Sequence, residues 1–206
     1  MLPFRVAPFD NGMYILVDAR KDAVVIDPSM AEREILRTTR EEGLRLVAIL
    51  NTHGHQDHIF GNAHVKEATR ARLAIHRLDA YRLELATRPG LTPLPPAPLA
   101  VADDLLDEGP LTYLGDVELE ALHTPGHTEG STCFHLPAER LLFSGDVLYA
   151  GAVGRVDLPG ADPRQMEESL RRVAALPPET RVYPGHGPTT TVGRELGWLR
   201  DFRFPD

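Results

Sequence analysis

The chain has 206 residues, 42% hydrophobic and 25% charged, the balance of a globular protein long enough for one substantial core. Thirty acidic against 22 basic residues give a net charge of −8, which argues against general binding to nucleic acid or to an anionic membrane. The one cysteine, Cys133, excludes an internal disulfide and fits a reducing compartment. The opening MLPFRVAPFD has no charged region followed by a long apolar run, and no stretch approaches the length of a membrane span, so a cytoplasmic location is expected. Many prolines and few thermolabile side chains hint at a heat-adapted source.

MYILVD (13–18) and AVVID (23–27) are apolar, β-branched runs around the polar ARKD and predict a hairpin. AEREILRTTREEG (31–43) has helical spacing and ends at Gly43. LVAIL (46–50) predicts a buried strand, residues 59–71 a helix, and RLAIH (72–76) another strand. Residues 88–110 are proline-rich and weakly periodic, which predicts a loop or lid rather than a core element, with Leu91, Leu94 and Leu99 forming its apolar surface. Strands follow at 117–122, 131–136 and 140–146. DPRQMEESLRRVAAL (162–176) predicts a helix with Asp162 as N-cap and Pro163 in its first position. RVYPGHG (181–187) reads as a short strand ending in a glycine turn, and the tail from 190 to 202 as helical. Strands and helices alternate in both halves, the pattern of sheets sandwiched between helices in a single domain spanning 1–206.

The stretch THGHQDHIFG (52–61) packs His53, His55, Asp57 and His58 into six residues. A His-rich polar loop is the bland alternative, but imidazole and carboxylate at this density are the donors that suit zinc, iron, manganese or nickel. Three more predicted strand ends carry ligand-type side chains flanked by glycine: His127 in TPGHT, Asp146 in FSGD and His186 in YPGHG. Strand ends are where open sheets commonly place their sites. His64, His76, His123 and His135 are expected in structural or supporting roles, and Cys133, inside STCFHL, in core packing.

THGHQDH, TPGHT, SGD and PGHG, in that order and at those separations, resemble the metallo-β-lactamase superfamily along nearly the whole chain. The resemblance implies an α+β fold, an αββα sandwich of two mixed sheets between helices, with a metal site at one edge. It implies His53, His55 and His127 as ligands of one metal, Asp57, His58 and His186 as ligands of a second, and Asp146 as the bridge. Asp57 and Asp146 are thereby expected to be catalytic. Three protein ligands and a water is the pattern of a catalytic zinc, and a two-metal site can share one activated water. Two divalent ions bring four positive charges; Asp57, Asp146 and a hydroxide return three, so the site suits an anionic substrate. Zinc is the expected metal, with iron and manganese also compatible with such ligands.

GRVDLPGADPRQMEESL and PGHGPTTTVGRE further resemble the glyoxalase II group, in its short, single-domain form. That resemblance implies hydrolysis of S-lactoylglutathione or a related thioester by a bridging hydroxide, with no nucleic-acid or membrane partner. Longer members bind glutathione through a lysine and a tyrosine after the bridging aspartate; here Arg155 stands at about the lysine place and Asp157 near the tyrosine. Arg155 is therefore the expected contact for a substrate carboxylate. A further tyrosine after the last histidine is absent, since Gly187 and Pro188 follow His186. The runner-up is a persulfide dioxygenase with a single iron, and a metal-binding protein without catalysis is the third reading.

Overall fold

The computed structural model describes residues 1–90 and 92–205. Two six-stranded mixed sheets face each other. The first has the order β1 (Leu2–Val6), β2 (Asn11–Val17), β3 (Asp22–Ile26), β4 (Arg45–Asn51), β5 (Arg72–His76), β6 (Asp104–Leu106), antiparallel up to β3 and parallel from β3 onward. The second runs β14 (Thr190–Thr191), β13 (Arg181–Pro184), β10 (Leu141–Gly145), β9 (Thr132–Leu136), β8 (Leu119–His123), β7 (Gly109–Leu111), with β10 and β13 as its parallel pair. A small hairpin of β11 (Leu148–Tyr149) and β12 (Ala152–Val153) stands apart.

The layers follow from side-chain alternation along the strands. Tyr14, Leu16, Val24, Ile26 and Leu50 point inward to meet Phe134, Leu136 and Phe143 of the other sheet, and Tyr14 tilts onto Phe143 with ring centroids 4.9 Å apart. The alternate set, Met13, Ile15, Val25, Ile49 and Leu73, packs outward with Ile35 of α1 (Glu32–Glu41) and Val65 of α3 (Asn62–Thr69). On the far side Cys133, Leu142 and Val182 meet Met166, Leu170 and Val173 of α5 (Pro163–Ala174) and Val192 and Leu199 of α6 (Val192–Leu199). The result is the expected αββα sandwich. β3 is buried on both faces because it is an inner strand, with Val24 and Ile26 in the core between the sheets and Val25 in the core beneath the helices. Asp162 caps α5 as predicted, accepting from the amides of Arg164 and Gln165 at 2.8 and 3.2 Å.

Two expectations need correction, and two elements were unforeseen. The helix predicted at 59–71 is shorter, α3 alone, and a separate helical turn, α2 (Gln56–Ile59), precedes it in the ligand stretch. Between them lies Gly61, where a Cβ would stand 2.8 Å from the Ser29 carbonyl, so a segment more than thirty residues away favours glycine there. The stretch 88–110 is not wholly a loop: β6 and the start of β7 lie in it, and Ala97, Ala100 and Leu106 are buried. Leu94 is partly buried and Leu99 is exposed, while Leu91 lies outside the described residues. β1, with Pro3 in it, was unforeseen; it is an edge strand, the place where a sheet tolerates proline. So was α4 (Tyr81–Leu85), too short to show a periodic face. Among the described residues no helix is long and apolar enough to cross a membrane.

Candidate metal centre

Chain segments leaving β4 of one sheet and β8, β10 and β13 of the other meet at one edge of the sandwich. The loop after β4 carries His53 and His55, and α2 begins at once, so Asp57 and His58 occupy its first turn. His127 comes from the β8–β9 connection, Asp146 directly follows β10, and His186 lies two residues beyond β13. All seven sequence-predicted ligand residues are brought together.

They form two groups. His53, His55 and His127 have donor atoms within 4.8 Å of one another, and so do Asp57, His58 and His186. In the first, His53 Nε2 and His55 Nδ1 are 3.1 Å apart; in the second, His58 Nε2 and His186 Nε2 are 3.2 Å apart and Asp57 Oδ2 lies 3.3 Å from His186 Nε2. Asp146 stands between: one oxygen is 3.4 Å from His58 Nε2 and the other 3.4 Å from His127 Nε2. Gly185 makes room for it, since a Cβ there would fall 2.2 Å from Asp146 Oδ1.

The far sides of the His53, His58, His127 and His186 rings are held by the fold, which determines which nitrogen faces the centre. His127 Nδ1–H donates to the Arg155 carbonyl at 2.8 Å and His186 Nδ1–H to the Phe9 carbonyl at 2.9 Å. The Thr52 hydroxyl gives its hydrogen to Asp27 at 2.6 Å, so its oxygen is left to accept from His53 Nδ1, 3.1 Å away. His58 Nδ1 lies 2.9 Å from Asp27 Oδ2. Asp27, His53 and His58 also form a compact donor group. Both Asp27 oxygens are already engaged by Thr52 and His58 on the side away from the centre, so Asp27 orients rings rather than adding a third site.

The electrostatics favour a cation. Burial, then His127, pushes His55 down to about 3, so its ring stays neutral with a lone pair to give. Burial works against ionisation of Asp57, yet His58 and the hydrogen bonds from His186 and Asn11 hold it well below the usual carboxylate range. Burial also opposes charge on His58, but Asp57 and Asp146 raise it to about 10: the carboxylates draw a proton in where an ion would sit. His127 Nε2 and Asp146 Oδ1 are buried without a hydrogen-bond partner, which folded proteins rarely allow. The donor set, the unpartnered atoms facing inward and the excess negative charge all fit divalent metal.

Other contributors gave little signal in the sequence. Asn11, at the start of β2, donates to Asp57 at 2.9 Å; its NG dipeptide reads as an ordinary turn. Asp79, fully buried, accepts from the amides of Gly54 and Gly130 at 2.7 and 2.8 Å and from the Thr128 hydroxyl at 2.8 Å, clamping the loops of His53, His55 and His127 together. Tyr149 lies by His186 with ring centroids 6.1 Å apart, and burial followed by the Asp146 charge keeps its phenol protonated. Arg155 extends into solvent, paired with Asp157 by two 2.7 Å hydrogen bonds. The remaining histidines lie outside the cluster: His76 stacks on His123 at 4.0 Å, and His135 faces Glu120 at 3.5 Å.

A family model described as the metallo-beta-lactamase superfamily matches residues 7–186. A hydroxyacylglutathione hydrolase from Mesorhizobium japonicum is 34% identical over 185 residues, 90% of this chain and 66% of that protein. The chain thus spans about two thirds of that relative. The crystal structure of BLEG-1, a B3 metallo-beta-lactamase, superposes with a TM-score of 0.86 at 33% identity, covering 95% of this chain and 96% of that one. The crystal structure of TTHA1623 in a di-iron-bound form gives 0.83 at 40% identity, with the same coverage of 95% and 96%. With its motifs, its αββα fold and these matches over nearly its full length, the chain belongs to the metallo-beta-lactamase superfamily.

Proposed function

We propose that the chain is a metal-dependent thioester hydrolase acting on S-lactoylglutathione or a related small-molecule thioester. The observation that carries this reading is Asp146, set between two donor groups, one of three histidines and one of two histidines and an aspartate. His53, His55 and His127 would hold one ion, Asp57, His58 and His186 the other, and Asp146 both. When bound, the ions, zinc first and iron or manganese next, supply Lewis acidity for the carbonyl and lower the pKa of a water.

The chain's own groups do the rest. Water adds across the C–S bond: its oxygen goes to the acyl carbon, and the thiol leaves with a proton. None of the seven convergent side chains is a serine or cysteine, so no acyl-enzyme is needed. Asp57, held ionised by His58, His186 and Asn11, and Asp146 are the carboxylates at the reacting centre. Asp27, Thr52 and the Phe9 and Arg155 carbonyls keep the imidazoles aimed. The Arg155 side chain would take a carboxylate of the thiol carrier, because a guanidinium can make paired hydrogen bonds to it. Its present partner, Asp157, is exposed and exchangeable.

The test is to load the protein with zinc, iron or manganese and follow thiol release from S-lactoylglutathione beside oxygen uptake with glutathione persulfide. Thiol release without oxygen uptake is expected. Oxygen uptake without thiol release would establish the single-iron dioxygenase instead, and neither would leave a metal-binding protein.

A further inference from the structure

One buried cation, directly or through Asp79, reaches every segment that supplies the first donor group. Arg82, in α4, is 5% exposed. Its Nη2 donates to Glu129 at 2.5 Å and to the Pro159 carbonyl at 3.0 Å, and its Nε lies 3.3 Å from Asp79 Oδ1. Asp79 accepts from the amides of Gly54 and Gly130. Gly54 stands between His53 and His55, Glu129 two residues beyond His127, and Pro159 four residues beyond Arg155, whose carbonyl accepts from His127 Nδ1.

The stem of Arg82 is as closely engaged. A Cβ at Gly54 would fall 2.5 Å from Arg82 Cβ and 2.8 Å from its Cδ, so the ligand loop lies with its backbone against this side chain. His55 depends most on that contact. Among the described residues its ring is hydrogen-bonded only to the His53 ring. A cavity of about 170 Å³, lined by His55, Gln56, Arg82 and Leu158 among others, opens beside it, so packing does not brace the ring on that side. What sets His55 is the backbone of its loop, and Asp79 and Arg82 hold that backbone at Gly54. The second donor group is held by other partners: Asn11 on Asp57, Asp27 on His58 and the Phe9 carbonyl on His186.

We propose that Arg82 is the positioning residue of the three-histidine group. It locks the loops of His53, His55 and His127 in ligating geometry and so sets the affinity of that half of the centre for its ion, leaving the other half to Asp27 and Asn11. The inference rests on the two-ion part of the functional reading and is independent of the substrate.

Arg82→Met keeps an unbranched stem and removes the guanidinium. Asp79 retains its donors from Gly54, Gly130 and Thr128, and the partly exposed Glu129 returns to water, so the fold is expected to hold. In the metal-free protein, amide exchange should quicken at Gly54 and Gly130. It should stay as in the wild type at Thr52, bonded to Asp27, and at Gly12, bonded to the Gly185 carbonyl. A zinc titration followed by nitrogen NMR of the histidine rings reads ligation residue by residue. Zinc should bind roughly 10- to 100-fold more weakly at His55 and His127 and unchanged at His58 and His186. Equal weakening at both groups, or weakening at neither, would overturn the proposal. Arg82→Lys keeps a charge near Asp79 and loses the planar fork. It should weaken the same group by a smaller factor, and it decides the matter if Arg82→Met does not fold: wild-type affinity at both groups would overturn the proposal. Wild-type protein that takes up no zinc would sink the metal reading itself. The exchange measurement then judges Arg82 alone, and unchanged rates at Gly54 and Gly130 would overturn its role.

Discussion

Asp27 Oδ2 lies 2.9 Å from His58 Nδ1, and both side chains are fully buried. The same carboxylate accepts from the Thr52 amide and hydroxyl at 2.8 and 2.6 Å, so it fixes the start of the ligand loop and the imidazole at its end together. Asp27→Asn keeps the size and loses the charge. It should weaken metal binding at the Asp57–His58–His186 group by roughly 10- to 100-fold, the usual effect of removing a partner behind a ligating histidine. A zinc titration against a chelating competitor, with circular dichroism to show the fold intact, measures this; unchanged affinity would assign Asp27 to loop structure alone.

Asp146→Asn should keep the fold, release metal from both groups and lower kcat by roughly 100-fold or more, because charge and bridging are lost together. Metal content per chain and turnover are the two readouts. Two ions retained at full turnover would show that Asp146 is not shared.

Arg155→Ala separates the two halves of one residue. The backbone carbonyl that orients His127 survives the substitution, while the guanidinium is removed. Metal content should stay as in the wild type, KM should rise roughly ten-fold and kcat should change little, the signature of lost ground-state binding. If KM does not move, the guanidinium serves only its exposed pair with Asp157, an interaction worth little in water.

Cys133 is buried under α5 and α6, and its thiol is pushed up to about 12, chiefly by burial. The thiolate is the reactive form, so at pH 8 iodoacetamide should leave the native chain unmodified and alkylate it readily in guanidinium chloride. Mass spectrometry of both samples checks this. Fast native labelling would mean that the α5–α6 layer opens far more readily than its packing implies.

The seven clustered side chains were legible in the sequence because each sits at the end of an apolar run that any sandwich of this kind must bury. Residues 53–58 are moreover adjacent along the chain, so local geometry alone brings four of them together. The layers were legible for a related reason: alternation on β2, β3 and β9 and helical spacing on α1 and α5 are set by nearest neighbours. Other features depend on segments that meet only after folding. Asp27 reaches His58 across 31 positions, Asn11 reaches Asp57 across 46, and Asp79 reaches Gly54 across 25 and Gly130 across 51. An aspartate at a strand end or an NG pair looks like turn chemistry until the partner is in place. The glycine at 61 has the same origin, since helical spacing carries no record of the Ser29 carbonyl that packs against it. The cavity beside His55 draws its walls from four separate segments. Ligand identity is thus a property of short stretches of chain, whereas ring orientation is set by hydrogen bonds that long-range packing alone brings together.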